Sequence, residues 1–141
     1  MSERADVRFD WERETRIGLC EAIWGEHKTA EQIAAILQQS AERQQRALVT
    51  RVTEAKATTV QALLQQQQLE TPLQWHEHAH ALSYGALPEA RPELGEVMVL
   101  GGGTSDRTVA SEAQLALRFH GVTAELTLDV GVAGLHRLLG Q

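Results

Sequence analysis

The sequence predicts an α/β protein: a helical N-terminal region with short strands, then a parallel β-α-β-α unit of the open-sheet kind. Three observations carry this reading. EVMVLGG (residues 96–102) is an apolar run ended by glycine, the form of a buried parallel strand. VTAELTLD (residues 122–129) reads as a second strand after an interval long enough for a helix. GGGTSD (residues 101–106) and DVGVAGLHR (residues 129–137) stand at the two strand ends, each opening a helical segment. In such a sheet, ligands gather outside the carboxyl ends of the strands.

The elements follow in order. Residues 10–24 mix charges with apolar side chains; Arg13 and Arg16 share a helical face, and Gly18 ends that turn. TAEQ (residues 29–32) is a capping box, in which the Thr29 hydroxyl accepts from the Gln32 N–H and the Gln32 side chain reaches back. Ile33, Ile36 and Leu37 then form an apolar stripe, on a helix expected to run to about residue 45. ALVTRV (residues 47–52) has the β-branched content of a short strand. Thr53 caps a second helix with the stripe Val60, Leu63 and Leu64, which fades into a glutamine run read as a solvated helix end.

Pro72, Pro88, Pro92 and Gly85 punctuate residues 69–94, with a short strand expected at 81–84. LPEARPELG (residues 87–95) reads as a boundary, giving expected domains 1–94 and 95–141. Ser105 or Asp106 caps the next helix, expected to reach about His120 with Val109, Ala113, Ala116 and Leu117 facing inward, and Gly121 ends it. A last helix is expected at 133–139.

The composition narrows the function classes. A net charge of −6 argues against broad binding to nucleic acid or anionic membrane, which needs a basic excess, but leaves room for a local phosphate pocket. Aromatics are only 4%, so the core must be built from Leu, Val, Ile and Ala. The lone cysteine, Cys20, forms no intramolecular disulfide, and the charged N-terminus lacks the apolar core of a secretory signal. Both point to a cytoplasmic setting.

Four stretches bear on chemistry. In GGGTSD the glycines let backbone approach a ligand, the helix start offers free N–H groups to an anion, and Thr104 and Ser105 add hydroxyls. Against this stands a plain tight turn in which Ser105 or Asp106 only caps. In DVGVAGLHR, Asp129 stands at the sheet edge, His136 can move protons near neutral pH, and Arg137 can grip a phosphate. Here the plainer alternative is a capping Asp129 with His136 and Arg137 on a solvated face. In WHEHAH (residues 75–80), His76, His78 and His80 would share one face of a strand and could hold a metal, but no matching ligand set accompanies them, and no metal site is expected. Cys20 has no convincing base nearby and reads as a structural thiol.

Taken together, DWERETRIGLCEAIWGEHKTAEQI, VTRV, GGGTSDRTVASEA and DVGVAGLHRLL resemble, in order and spacing, the LarB family of nickel-pincer-cofactor biosynthesis proteins, relatives of the PurE carboxylases. The resemblance runs over nearly the whole chain. It implies an N-terminal LarB-type region followed by the first half of a PurE-like, flavodoxin-type domain. It also implies an activity: carboxylation of the pyridinium ring of nicotinic acid adenine dinucleotide by carbon dioxide or bicarbonate, with cleavage of the phosphoanhydride. The products would be a pyridinium biscarboxylate mononucleotide and AMP. The dinucleotide and carbon dioxide or bicarbonate enter as substrates, and no bound cofactor is implied.

Residue by residue, the resemblance puts Gly103, Thr104, Ser105 and Asp106 in a phosphate and substrate turn, and Asp129, His136 and Arg137 in a second strand-end motif. Asp106, Asp129 and His136 are the catalytic candidates. Arg13, Arg16, Lys28 and Arg51 would suit the dinucleotide's phosphates; helix-surface pairing with neighbours such as Glu12, Glu14 and Glu31 is the plainer alternative. Cys20 stands where the family usually has proline, Gly102 where it has alanine, Thr108 where it has proline and Ser111 where it has glutamate. The family's later strands and its nucleophilic cysteine are not among these residues. A homo-oligomer or a complementing chain is therefore the expected partner. The alternatives left open are a noncatalytic nucleotide-binding or assembly module, and a fragment without separate function.

Overall fold

The computed structural model describes residues 9–68, 72–131 and 134–140. The chain divides into two compact units: the described residues of Met1–His76 and Ala81–Ala86, and those of Glu77–His80 and Leu87–Gln141.

The first unit holds α1 (Arg13–Ile17), β1 (Ala22–Trp24), α2 (Ala30–Glu42), β2 (Ala47–Thr50), α3 (Glu54–Gln66), β3 (Leu73–His76) and β4 (Ala81–Tyr84). Its sheet has the order β1-β2-β4-β3, with β1 parallel to β2 and the other pairs antiparallel. The α2 start forms as the capping box requires: Thr29 Oγ1 accepts from the Gln32 N–H at 3.2 Å, and Gln32 Oε1 accepts from the Thr29 N–H at 3.0 Å. Thr53 caps α3 by accepting from the Lys56 N–H.

Register explains the core. Ile23, Val49, Leu82 and Trp75 stand opposite one another across the four strands, and Ala47, Tyr84 and Leu73 form a second row. Side chains in register lie on one face of a sheet. These rows belong to one apolar cluster with Ile33, Ile36 and Leu37 of α2 and Ala57, Val60 and Leu64 of α3. Ser40, buried on α2, satisfies its hydroxyl by donating to the Ile36 carbonyl. The N-terminal region is therefore a helix-covered sheet. Strands β1 and β3 are too short for their alternation to show in the sequence.

The second unit holds β5 (Glu96–Leu100), α4 (Arg107–Phe119), β6 (Thr123–Thr127) and α5 (Leu135–Leu139). Strands β5 and β6 pair in parallel, and α4 packs against both. Gly121 has a φ of +81°, as a helix-ending glycine should.

Two expectations for this unit fail. The buried residues of α4 are Ala110, Ser111, Leu115 and Phe119, whereas Val109 is 59% exposed and Ala113 is exposed. The helix is apolar on more than one side, and the bulkier Leu115 and Phe119 set which side turns inward. Nor is β5 buried: Met98 is 58% exposed and Leu100 47%. They stand in register with Glu125 and Thr127, on a sheet face that is largely bare. The last helix begins at Leu135; Ala133, where it was expected to start, lies outside the described residues. No helix among the described residues is long and apolar enough to cross a membrane.

Gly25 shows how tightly β1 and β2 end together. Its N–H donates to the Thr50 carbonyl at 2.8 Å, and a Cβ added to it would lie 2.8 Å from Val52 Cγ2 and 2.9 Å from Thr50 O. Overpacking of this kind typically costs about 1–3 kcal/mol. Gly25→Ala is expected to lower unfolding stability by about that amount in urea titration. An unchanged midpoint would contradict this account of the strand ends.

Candidate functional site

The carboxyl edge of β5 and β6 is the strongest candidate, because two glycine turns meet there. Gly101 donates to the Thr127 carbonyl at 2.9 Å, extending the parallel ladder past β5. The Val130 N–H then donates to the Gly101 carbonyl at 3.2 Å, tying the second turn to the first. At Gly131 the two backbones nearly touch: a Cβ there would sit 2.7 Å from the Gly102 carbonyl oxygen. Real Cβ atoms do not approach oxygen that closely, so only glycine fits without moving one turn.

Thr104, Ser105 and Asp106 form a short 3₁₀ turn leading into α4, and all three are exposed. The Asp106 carboxylate accepts from the Gly103 N–H at 2.9 Å. The expected helix cap is thus realised as a bond back across the turn, which shapes the glycine loop and occupies one of the N–H groups offered to an anion. Asp129 follows β6 with φ +63°, in the left-handed region that Asp and Asn tolerate better than most residues. Its carboxylate accepts from Arg137 Nη2 at 2.5 Å, an ion pair between two half-exposed side chains. His136, next to Arg137 on α5, is exposed. The structure therefore brings Gly103, Thr104, Ser105, Asp106, Asp129, His136 and Arg137 to one sheet edge.

The four basic residues assigned to the dinucleotide's phosphates are not brought together. Helix α1 sits at the amino ends of β1 and β2. The Asp10 N–H donates to Glu21, just before β1, Gln45, just before β2, donates to the Trp11 carbonyl, and Arg46 pairs with Glu14. Arg13 and Arg16 lie on that helix. Arg16 is engaged by Asp10, its Nη2 at 2.7 Å from Oδ2, and this hydrogen bond holds the Asp10 carboxyl below its ordinary range. Lys28 and Arg51 instead follow the carboxyl ends of β1 and β2, a strand length away. Sequence proximity of Arg16 to Lys28 hides that separation, because β1 runs between them.

Lys56 was not singled out by the sequence. Its ammonium donates to the carbonyls of Gly25 at 2.8 Å and Glu26 at 3.0 Å, pinning the loop after β1 to α3. A lysine in the first turn of a capped helix carries no sequence signal for such a role. The histidine triplet divides: His76 is in β3 with Nε2 2.8 Å from Ser83 Oγ, while His78 and His80 lie in the turn to β4, so the shared strand face does not form. A depression of about 300 Å³ lined by Pro88, Arg118 and Thr123 opens at the other end of β6 from the glycine turns.

A mixed α/β chain with two parallel strand pairs, each pair ending in short turns before helices, is thus the class the fold defines. The chain belongs to the LarB/PurE-like family: residues 2–85 match the family model described as the LarB/PurE-like N-terminal domain. It is also similar to an uncharacterized protein of Methanocaldococcus jannaschii, MJ0165, with 29% identity over 133 residues. That alignment covers 94% of this chain and 51% of the archaeal protein, so the chain spans about half the length of this curated relative. The glycine turns fall beyond the segment matched by the family model.

Cys20 lies outside these turns, half-buried near Glu14 and Arg46. Burial pushes its thiol pKa up, and the Glu14 carboxylate adds to the effect. Since the thiolate is the reacting form, Cys20 is expected to be sluggish at neutral pH. Its iodoacetamide alkylation should show a pH midpoint above that of a free thiol, about 8.5. A midpoint at or below that value would contradict a structural thiol.

Proposed function

We propose that this chain is part of a LarB-type synthase that carboxylates the pyridinium ring of nicotinic acid adenine dinucleotide and cleaves its phosphoanhydride. In this reading the β5–β6 carboxyl edge holds a substrate phosphate. The observation that carries the proposal is the abutment of Gly102 and Gly131, which joins the two turns into one backbone-lined edge.

Each residue then has a task. The turn of Gly103, Thr104 and Ser105 offers hydroxyls and the start of α4 to an anion, where the helix dipole favours negative charge. Asp106 keeps that turn in shape through the Gly103 N–H. Arg137 supplies a planar guanidinium suited to a phosphate. His136, exposed beside it, supplies an imidazole for proton transfer. Arg13 and Arg16, placed at the amino ends of β1 and β2, are left out.

A second reading, a noncatalytic nucleotide-binding or assembly module, is favoured by the bare apolar face of Met98 and Leu100. Parallel sheets are ordinarily covered on both faces. A second copy or a complementing chain would supply that cover.

One experiment separates the readings. The chain is titrated calorimetrically with nicotinic acid adenine dinucleotide. AMP release is then assayed with bicarbonate, with and without a polypeptide corresponding to the remainder of the archaeal relative. Binding, with AMP released in the complemented mixture, is the expected result. Binding without AMP release in either mixture would leave the noncatalytic nucleotide-binding module, and no binding would overturn the synthase and leave only an assembly role.

A further inference from the structure

We propose that Asp129 is a latch on Arg137, and that an anionic ligand enters the β5–β6 edge by displacing the Asp129 carboxylate from the guanidinium. This rests on the reading of that edge as a phosphate site. It adds a role for Asp129 as a competitor of the ligand, where the sequence suggested a catalytic group.

The geometry carries the inference in three steps. Arg137 follows the second glycine turn on α5, as Arg107 follows the first at the start of α4, and the Nη2 of Arg137 is held by Asp129 Oδ2. A guanidinium bonded to an internal carboxylate presents a nearly neutral pair to an approaching phosphate, so the pair must open or rearrange before a bidentate grip forms. Both side chains are about half exposed, 43% for Arg137 and 57% for Asp129. An exposed ion pair is weak and its release is assisted by water, so the latch opens readily for a doubly charged ligand.

The backbone holds the latch in place. Asp129 adopts φ +63°, and the next residue, Val130, is tied to the Gly101 carbonyl. Gly131 abuts Gly102 immediately after. The carboxylate is therefore presented from a fixed backbone position. Arg137, on the five-residue helix α5, reaches it across the connecting segment. When the guanidinium turns to a ligand, Asp129 stays as a negative charge beside the occupied site. That charge favours release and penalises ligands whose charge is too small to compete.

Asn tolerates the left-handed conformation at least as well as Asp, so Asp129→Asn removes the charge while keeping the backbone. Wild type, Asp129→Asn, Arg137→Gln and the double variant are titrated with nicotinic acid adenine dinucleotide, after thermal melts confirm that each folds. Asp129→Asn is expected to bind about two- to fivefold tighter, the worth of an exposed ion pair. Arg137→Gln is expected to bind more weakly, and the gain from Asp129→Asn should vanish in its background. Unchanged or weaker binding by Asp129→Asn would overturn the latch, as would a gain that persists without Arg137. If none of the four proteins binds the dinucleotide, the phosphate-site reading itself falls, and the latch with it.

Discussion

Two strands that run side by side in the same direction cannot be joined by a tight turn. The chain must leave the carboxyl end of the first, cross over and return to the amino end of the second. This constraint acts in both units, on β1 with β2 and on β5 with β6. It gives each pair a carboxyl edge at which two short turns lie side by side and two helices begin. The rest of the structure depends on how closely those turns approach. Gly25 lets β1 end against Thr50 and Val52, and Gly131 lets the turn after β6 lie on the carbonyl of Gly102.

The two edges have been put to different use. At β1 and β2 the turns are closed by the protein itself: Thr29 and Thr53 cap the helix starts, and Lys56 occupies the carbonyls of Gly25 and Glu26. At β5 and β6 the side chains of Thr104, Ser105 and His136 remain exposed, and Asp129 and Arg137 are joined by a weak ion pair. An edge whose polar groups are already satisfied is a structural joint. One with exposed hydroxyls and a readily released guanidinium is better suited to a ligand.

Much of this was legible in the residues. The capping box at Thr29, the cap at Thr53, the short strand at β4 and the helix-ending Gly121 are local signals, decided within four or five residues, and they form as the sequence predicts. What was hidden depends on distant contacts. The inward side of α4 is not legible in the sequence because Val109 and Ala113 compete with Ala110, Leu115 and Phe119, and only packing against β5 and β6 decides between them. The separation of Arg13 and Arg16 from Lys28 and Arg51 was hidden because α1 folds back to Glu21, Gln45 and Arg46. Among the site residues, convergence of the two glycine turns could be read from strand order. The pairing of Asp129 with Arg137 could not, since it requires the left-handed turn at Asp129.

The central claim is that the two turns at the β5–β6 edge act as one site. Amide chemical-shift mapping of the isotope-labelled chain during titration with nicotinic acid adenine dinucleotide tests it most directly. The account predicts that amides of residues 101–106 and of residues 129–137 shift together along a single binding curve. Shifts confined to one turn, or to the edge formed by residues 25–28 and 51–53, would contradict it.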